Sequence, residues 1–96
     1  MYALVLIRYR RSIDEVNATT TDHRSYLAGL RERGILLASG PFDPRTGGAM
    51  LLRLPSDDPG ALDAIRDADP FWQSGIANYE LLRWNPTIGL DGLDAL

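Results

Sequence analysis

His23 is the only histidine in this 96-residue chain, and so the only side chain that exchanges a proton readily near neutral pH. Leu27 and Leu30 follow four and seven positions on, so on a helix all three share one stripe and the ring turns toward a core. Thr19, Thr20 and Thr21 read as N-caps, with Asp22 beside them, which starts the helix near His23. A helix N-terminus favours the neutral imidazole that a general base needs. The plainer alternative is an inert amphipathic residue packed at a helix start. Asp69 is the second chemically interesting group. An acid at the C-terminal end of a helix opposes the helix dipole. Two readings stay open: a cap for a following turn with Pro70 at its first position, or a functional carboxylate. Asp63 and Asp67 fall off the apolar face of their segment and read as solvated.

Other features carry less chemistry. Gly40-Pro41 breaks the chain after an apolar run, and Phe42 can wall a cavity there, although a simple strand terminator explains the same residues. Gly47-Gly48 precedes a strand rather than a helix and lacks the spacing of a phosphate loop. Arg8, Arg53 and Arg83 fall on strand segments. An inward Arg would clamp a carboxylate, but strand-edge solubilising charge is the simpler reading. Tyr79, Trp72 and Trp84 read most simply as core or interface aromatics.

Composition excludes whole classes of mechanism. The chain has no cysteine, which removes disulfides, thiol nucleophiles and thiolate metal sites. All ten basic residues are Arg, so lysine nucleophiles and Schiff bases are also absent. One histidine argues against a metal centre, and no cofactor is expected. Thirteen acids give a net charge of −3 and no Arg-rich run occurs, so a nucleic-acid partner is not expected. Ala3 to Ile7 is too short for a membrane span or a signal peptide and is followed at once by Arg8, which makes the cytoplasm the expected location.

The elements that must position these groups follow from periodicity. Residues 2–10 read as a strand, 23–33 as a helix ended by Gly34, and 35–39 as a second strand. A turn at 43–48 leads to a strand at 49–54, which suggests a hairpin. Ser56, Asp57, Asp58 and Pro59 open a helix, with Asp58 as cap, Pro59 at its first position, and Ala61, Leu62, Ile65 and Ala68 on its buried face. Asp69-Pro70 ends it, 71–75 is a connector, and 76–84 is the last strand. The order β-α-β-β-α-β is the ferredoxin-like α+β plan, with both helices on one face of a four-stranded sheet. Residues 1–84 form one domain and 85–96 an irregular tail. The strands are apolar on both parities, so the bare face needs a cover. A second copy of the chain, giving a homodimer, is favoured over a folded-back tail. Both helices run antiparallel to the strands before them and so begin at one edge of the sheet, which puts His23 and Asp69 at opposite ends of the subunit unless the connector at 71–75 folds inward.

An ordered set of segments carries a resemblance. It comprises His23 to Leu30 (HRSYLAGL), Gly34 to Phe42 (GILLASGPF), Gly47-Gly48, Asp67 to Phe71 (DADPF), Tyr79-Glu80 and Trp84. Together they resemble the YciI-like (YCII-related) domain family over about residues 2–84. The resemblance implies a dimeric α/β barrel similar to the muconolactone isomerase and antibiotic-monooxygenase groups, with a His–Asp pair that maps onto His23 and Asp69. One branch is similar to enzymes that remove chloride from chlorinated hydroxyhydroquinones. The expectation is therefore a cofactor-free enzyme acting on a small organic substrate. His23 would serve as acid or base, Asp69 as its orienting carboxylate, Phe42, Phe71 and Trp72 as walls, and Gly40-Pro41 as part of the substrate site. The rival reading is a non-catalytic dimeric module that binds a small molecule or a protein.

Overall fold

A computed structural model describes residues 1–55 and 57–96. Strand β1 (Tyr2–Tyr9) leads to helix α1 (Ile13–Glu32), then strands β2 (Leu36–Pro41) and β3 (Gly47–Arg53). Helix α2 (Pro59–Asp67), the short helix α3 (Pro70–Gln73), strand β4 (Ala77–Trp84) and helix α4 (Leu90–Asp94) follow. The sheet order is β2-β3-β1-β4 and every pairing is antiparallel, which is the ferredoxin-like arrangement.

Alternation along the strands sorts the two faces. Ala3, Val5 and Ile7 of β1 stand opposite Leu52, Met50 and Gly48 of β3, and the apolar members of this set join Val16, Leu30, Leu62 and Phe71 in the core. On the other parity Leu4, Leu6 and Leu51 are half-buried, while Leu82 and Trp84 remain exposed. One sheet face is thus covered by α1, α2 and α3, and the other carries only the C-terminal segment at its Tyr2 end. Gly47 and Gly48 serve backbone approach. A Cβ on Gly47 would lie 1.8 Å from the Ile7 carbonyl oxygen, and one on Gly48 would lie 2.6 Å from that of Gly40.

Helix α1 begins ten residues upstream of the position expected from the threonines. Its cap is Ser12, whose hydroxyl accepts from the Glu15 N–H, with Asp14 and Glu15 in the first turn. Three β-branched residues are poor helix formers. Here the first-turn cap and the fully buried Val16 outweigh them, and the Thr20 hydroxyl donates to the Val16 carbonyl within the helix. His23 is therefore mid-helix, away from the helix N-terminus that would favour its neutral form. Gly34 ends the segment as expected, at a left-handed φ of 74°.

Asp58 caps α2 by accepting from the Gly60 N–H, with Pro59 in the first turn. Ser56, read as part of that opening, lies outside the described residues. The expected connector after Pro70 is a helical turn, α3, capped by Asp69 through the Phe71 N–H. The tail is not wholly irregular. It forms α4, which docks on one end of the sheet where the Tyr2 hydroxyl donates to Asp94 and Arg53 donates to the Leu93 carbonyl. Among the described residues no helix is long and apolar enough to cross a membrane.

Candidate functional site

The structure brings His23 and Asp69 together. His23 Nδ1 lies 2.7 Å from Asp69 Oδ1, and both residues are buried, with Asp69 only 1% exposed. The expectation of opposite ends fails for a topological reason. β1 and β3 run antiparallel, so the helices that follow them also run in opposite directions. The end of α2 thus comes to the same end of the sheet as the start of α1. Helix α3 then packs on α1 and carries Asp69 inward.

Asp69 is both a cap and a partner. Oδ1 accepts from the Phe71 N–H at 3.0 Å as well as facing His23, and Oδ2 accepts from the Tyr79 hydroxyl at 2.6 Å. With two fixed donors on this carboxylate, the ring nitrogen facing it completes the set by donating, which puts the hydrogen on Nδ1. Nε2 then keeps its lone pair. It has no protein partner among the described residues and is not sealed from solvent. The imidazole lies flat on Phe71, with centroids 3.9 Å apart and planes 6° apart, and Tyr9 meets the edge of that phenyl ring at 6.0 Å. These contacts fix the ring on one face and at one nitrogen, leaving the other nitrogen available for chemistry.

A pocket of about 240 Å³ opens beside His23. Its walls come from α1 (Thr20, Leu27), from β2 (Ser39, Gly40, Pro41) and from Phe71. Gly40, Pro41 and Phe71 thus line the space next to His23. Phe42 does not line it. Trp72 lies outside it, 38% exposed, edge-on to Tyr79 and with the Arg66 guanidinium 4.5 Å from its ring centre. The α3 turn explains this. Phe71 and Trp72 are consecutive on a helical turn and point to different sides, so only Phe71 faces inward. Arg8, Arg53 and Arg83 also lie away from the pocket: Arg8 pairs with Glu80, Arg53 holds the tail, and Arg83 donates to the Asp57 carbonyl. Among the described residues no three His, Cys, Asp or Glu side chains gather in a way that could hold a metal ion.

Tyr79 reads from sequence as a core or interface aromatic, yet its hydroxyl completes the Asp69 cluster. The available signal was register. Tyr79 stands opposite Ile7, and thus on the helix-covered face, where a buried phenol needs an acceptor. Burial, and then the Asp69 carboxylate beside it, push the Tyr79 phenol well above the ordinary value of 10.0. Tyr26 is raised for the same two reasons in the same order. The folded chain holds these protons at pH values where the unfolded chain has lost them. Stability is therefore full below about pH 10 and falls as pH rises above it, by at most about 1.4 kcal/mol per pH unit for Tyr79. Urea unfolding of wild type across that range should show the decline, and Tyr79→Phe should make it shallower. An equally steep decline in the variant would place the alkaline sensitivity elsewhere.

The family model for the YCII-related domain matches residues 1–85. The chain belongs to the YCII-related domain family. Among solved structures, this YCII-related chain is similar to 5-chloro-2-hydroxyhydroquinone dehydrochlorinase from Burkholderia phenoliruptrix AC1100 in complex with 2,5-dihydroxybenzoquinone. The TM-score is 0.75 at 21% identity, covering 92% of this chain and 97% of the other. At that identity the likeness establishes a shared fold. No curated protein matches the chain.

Proposed function

We propose that this YCII-related protein is a cofactor-independent enzyme that performs acid–base chemistry on a small organic substrate, with His23 as the proton-transfer group and Asp69 as its orienting partner. The observation that carries the reading is the single imidazole, on a residue that lines a pocket, with one nitrogen tied to a buried carboxylate and the other without a partner among the described residues. His23 Nε2 takes a proton from an acidic O–H or C–H of the substrate. The released electron pair then either accepts a proton at another atom, which is an isomerisation, or expels a leaving group such as chloride, which is an elimination. Asp69 stabilises the imidazolium formed in between, and Tyr79 and the Phe71 N–H hold Asp69 in place. The dehydrochlorinase on the same fold supports testing elimination first.

The direct test offers the protein chlorinated hydroxyhydroquinones and enolisable ring ketones, and reads chloride release and deuterium incorporation from heavy water. The reading expects turnover by wild type and its loss in His23→Gln. Binding without any chemical change across the panel would favour a ligand-binding module instead.

The reading also includes a homodimer through the bare sheet face, which supplies the dimeric barrel. The support is the row of Leu4, Leu6, Leu51 and Leu82 on a face that carries no packed helix except α4 at one end. Sedimentation should find twice the 10.6 kDa chain mass for wild type and a monomer for Leu6→Asp. A wild-type monomer at micromolar concentrations would remove the dimer from the proposal.

A further inference from the structure

The charge of the pocket is opposite to that of the chain. Thirteen acids outnumber ten arginines overall. Among the described residues that line the pocket, however, there are two arginines, Arg24 and Arg45, and no Asp or Glu. Asp69 sits behind His23 and Phe71 rather than in the wall.

Neither arginine is paired with an acid among the described residues. The arginine ion pairs found there use Arg8 and Arg66. Arg45 donates to the neutral Asn17 side chain at 2.9 Å and lies 5.9 Å from the centre of the Tyr9 ring, so its contacts orient it without cancelling its charge. Arg24 has Thr20, Thr21, Leu27 and Ala28 as its helical neighbours three and four positions away, so no acid on its own helix neutralises it. Both arginines are exposed, which places them at the solvent side of the pocket, while His23 is buried within. Two unpaired guanidiniums beside an apolar wall favour a ligand with a negative group at one end and a flat apolar body at the other.

We propose that the pocket takes a small organic anion, a carboxylate or enolate-type oxygen conjugated to a single ring. Arg24 and Arg45 would meet the negative group at the mouth, and the ring would lie toward Phe71 and His23. This names the substrate class for the proposed acid–base site and rests on that reading only for the chemistry that follows binding. The pocket volume of about 240 Å³ suits one ring with few substituents, being below the usual range for drug-sized ligands. An anionic group held at the mouth also restricts which substrate atom can reach Nε2. The two arginines thereby act as specificity determinants.

The test uses benzoate and its neutral isostere benzamide, with binding read by calorimetry and by the imidazole resonances of the sole histidine. Benzoate should bind at least about tenfold more tightly than benzamide and shift the His23 signals. Arg24→Gln and Arg45→Gln should each weaken benzoate binding about five- to tenfold and leave benzamide unchanged. Because both side chains are exposed, the variants should keep the wild-type circular dichroism spectrum. His23→Gln should retain the preference for benzoate, so failure of the catalytic reading would leave this inference standing. Equal affinities for the two probes, an unmoved benzoate affinity in the double arginine variant, or no His23 shift at saturating benzoate would each overturn it.

Discussion

His23→Gln is expected to lower turnover of any identified substrate by about 10²–10⁴-fold, the usual share of a positioned acid–base group. Phe71 fixes the plane of the imidazole and Asp69 fixes its rotation, so the ring that lines the pocket is held in a single orientation with Nε2 as its open nitrogen. Glutamine keeps a polar group of similar reach but has no nitrogen lone pair of comparable basicity. The loss should therefore appear in kcat, with KM changed little, because the ring acts on a proton in flight rather than on the bound ground state. Some stability will also go with the stacking on Phe71, so thermal melts must show that the variant is folded at the assay temperature. Turnover equal to wild type would sink the catalytic assignment and leave the pocket as a binding site.

The second large effect belongs to Asp69, and two substitutions separate its two duties. Asp69→Ala removes the acceptor for His23 Nδ1, the Phe71 N–H and the Tyr79 hydroxyl at a position only 1% exposed. Each buried donor left without a partner costs about 1–3 kcal/mol. A total of about 3–5 kcal/mol is expected, a large part of the ~5–15 kcal/mol that holds a domain of this kind together. Asp69→Asn behaves differently. The amide oxygen still accepts from Phe71 and His23, and the Tyr79 hydroxyl can turn to accept from the amide nitrogen, so stability should fall by about 1 kcal/mol. What Asn cannot do is stabilise an imidazolium, so activity should drop by about 10²–10⁴-fold in a folded protein. Denaturant unfolding and turnover on both variants decide the point. Full activity in a folded Asp69→Asn protein would reduce Asp69 to a helix cap.

Much of the fold was legible because local patterns decide it. Short apolar runs rich in β-formers read as the four strands, Gly34 as the end of the first helix, and Asp58 with Pro59 as the start of the second. The start of α1 at Ile13 is hidden because three consecutive threonines look like a boundary on propensity alone. Ser12 followed three positions later by Glu15 is a capping pattern that could have located it.

The amino-acid sequence alone determined the chemical inventory: one histidine, no thiol, no lysine, and an acidic chain with a β-α-β-β-α-β order. It could not decide which carboxylate the histidine meets, because His23 and Asp69 are 46 residues apart and the pairing depends on how two helices run relative to each other. Nor could it separate Phe71 from Trp72, or Arg24 and Arg45 from the remaining arginines. Those assignments depend on which side of a helix faces a cavity that several separate segments build together. Pattern along the chain sets each element, but only the packing of elements puts a donor, an acceptor and an open nitrogen in one place.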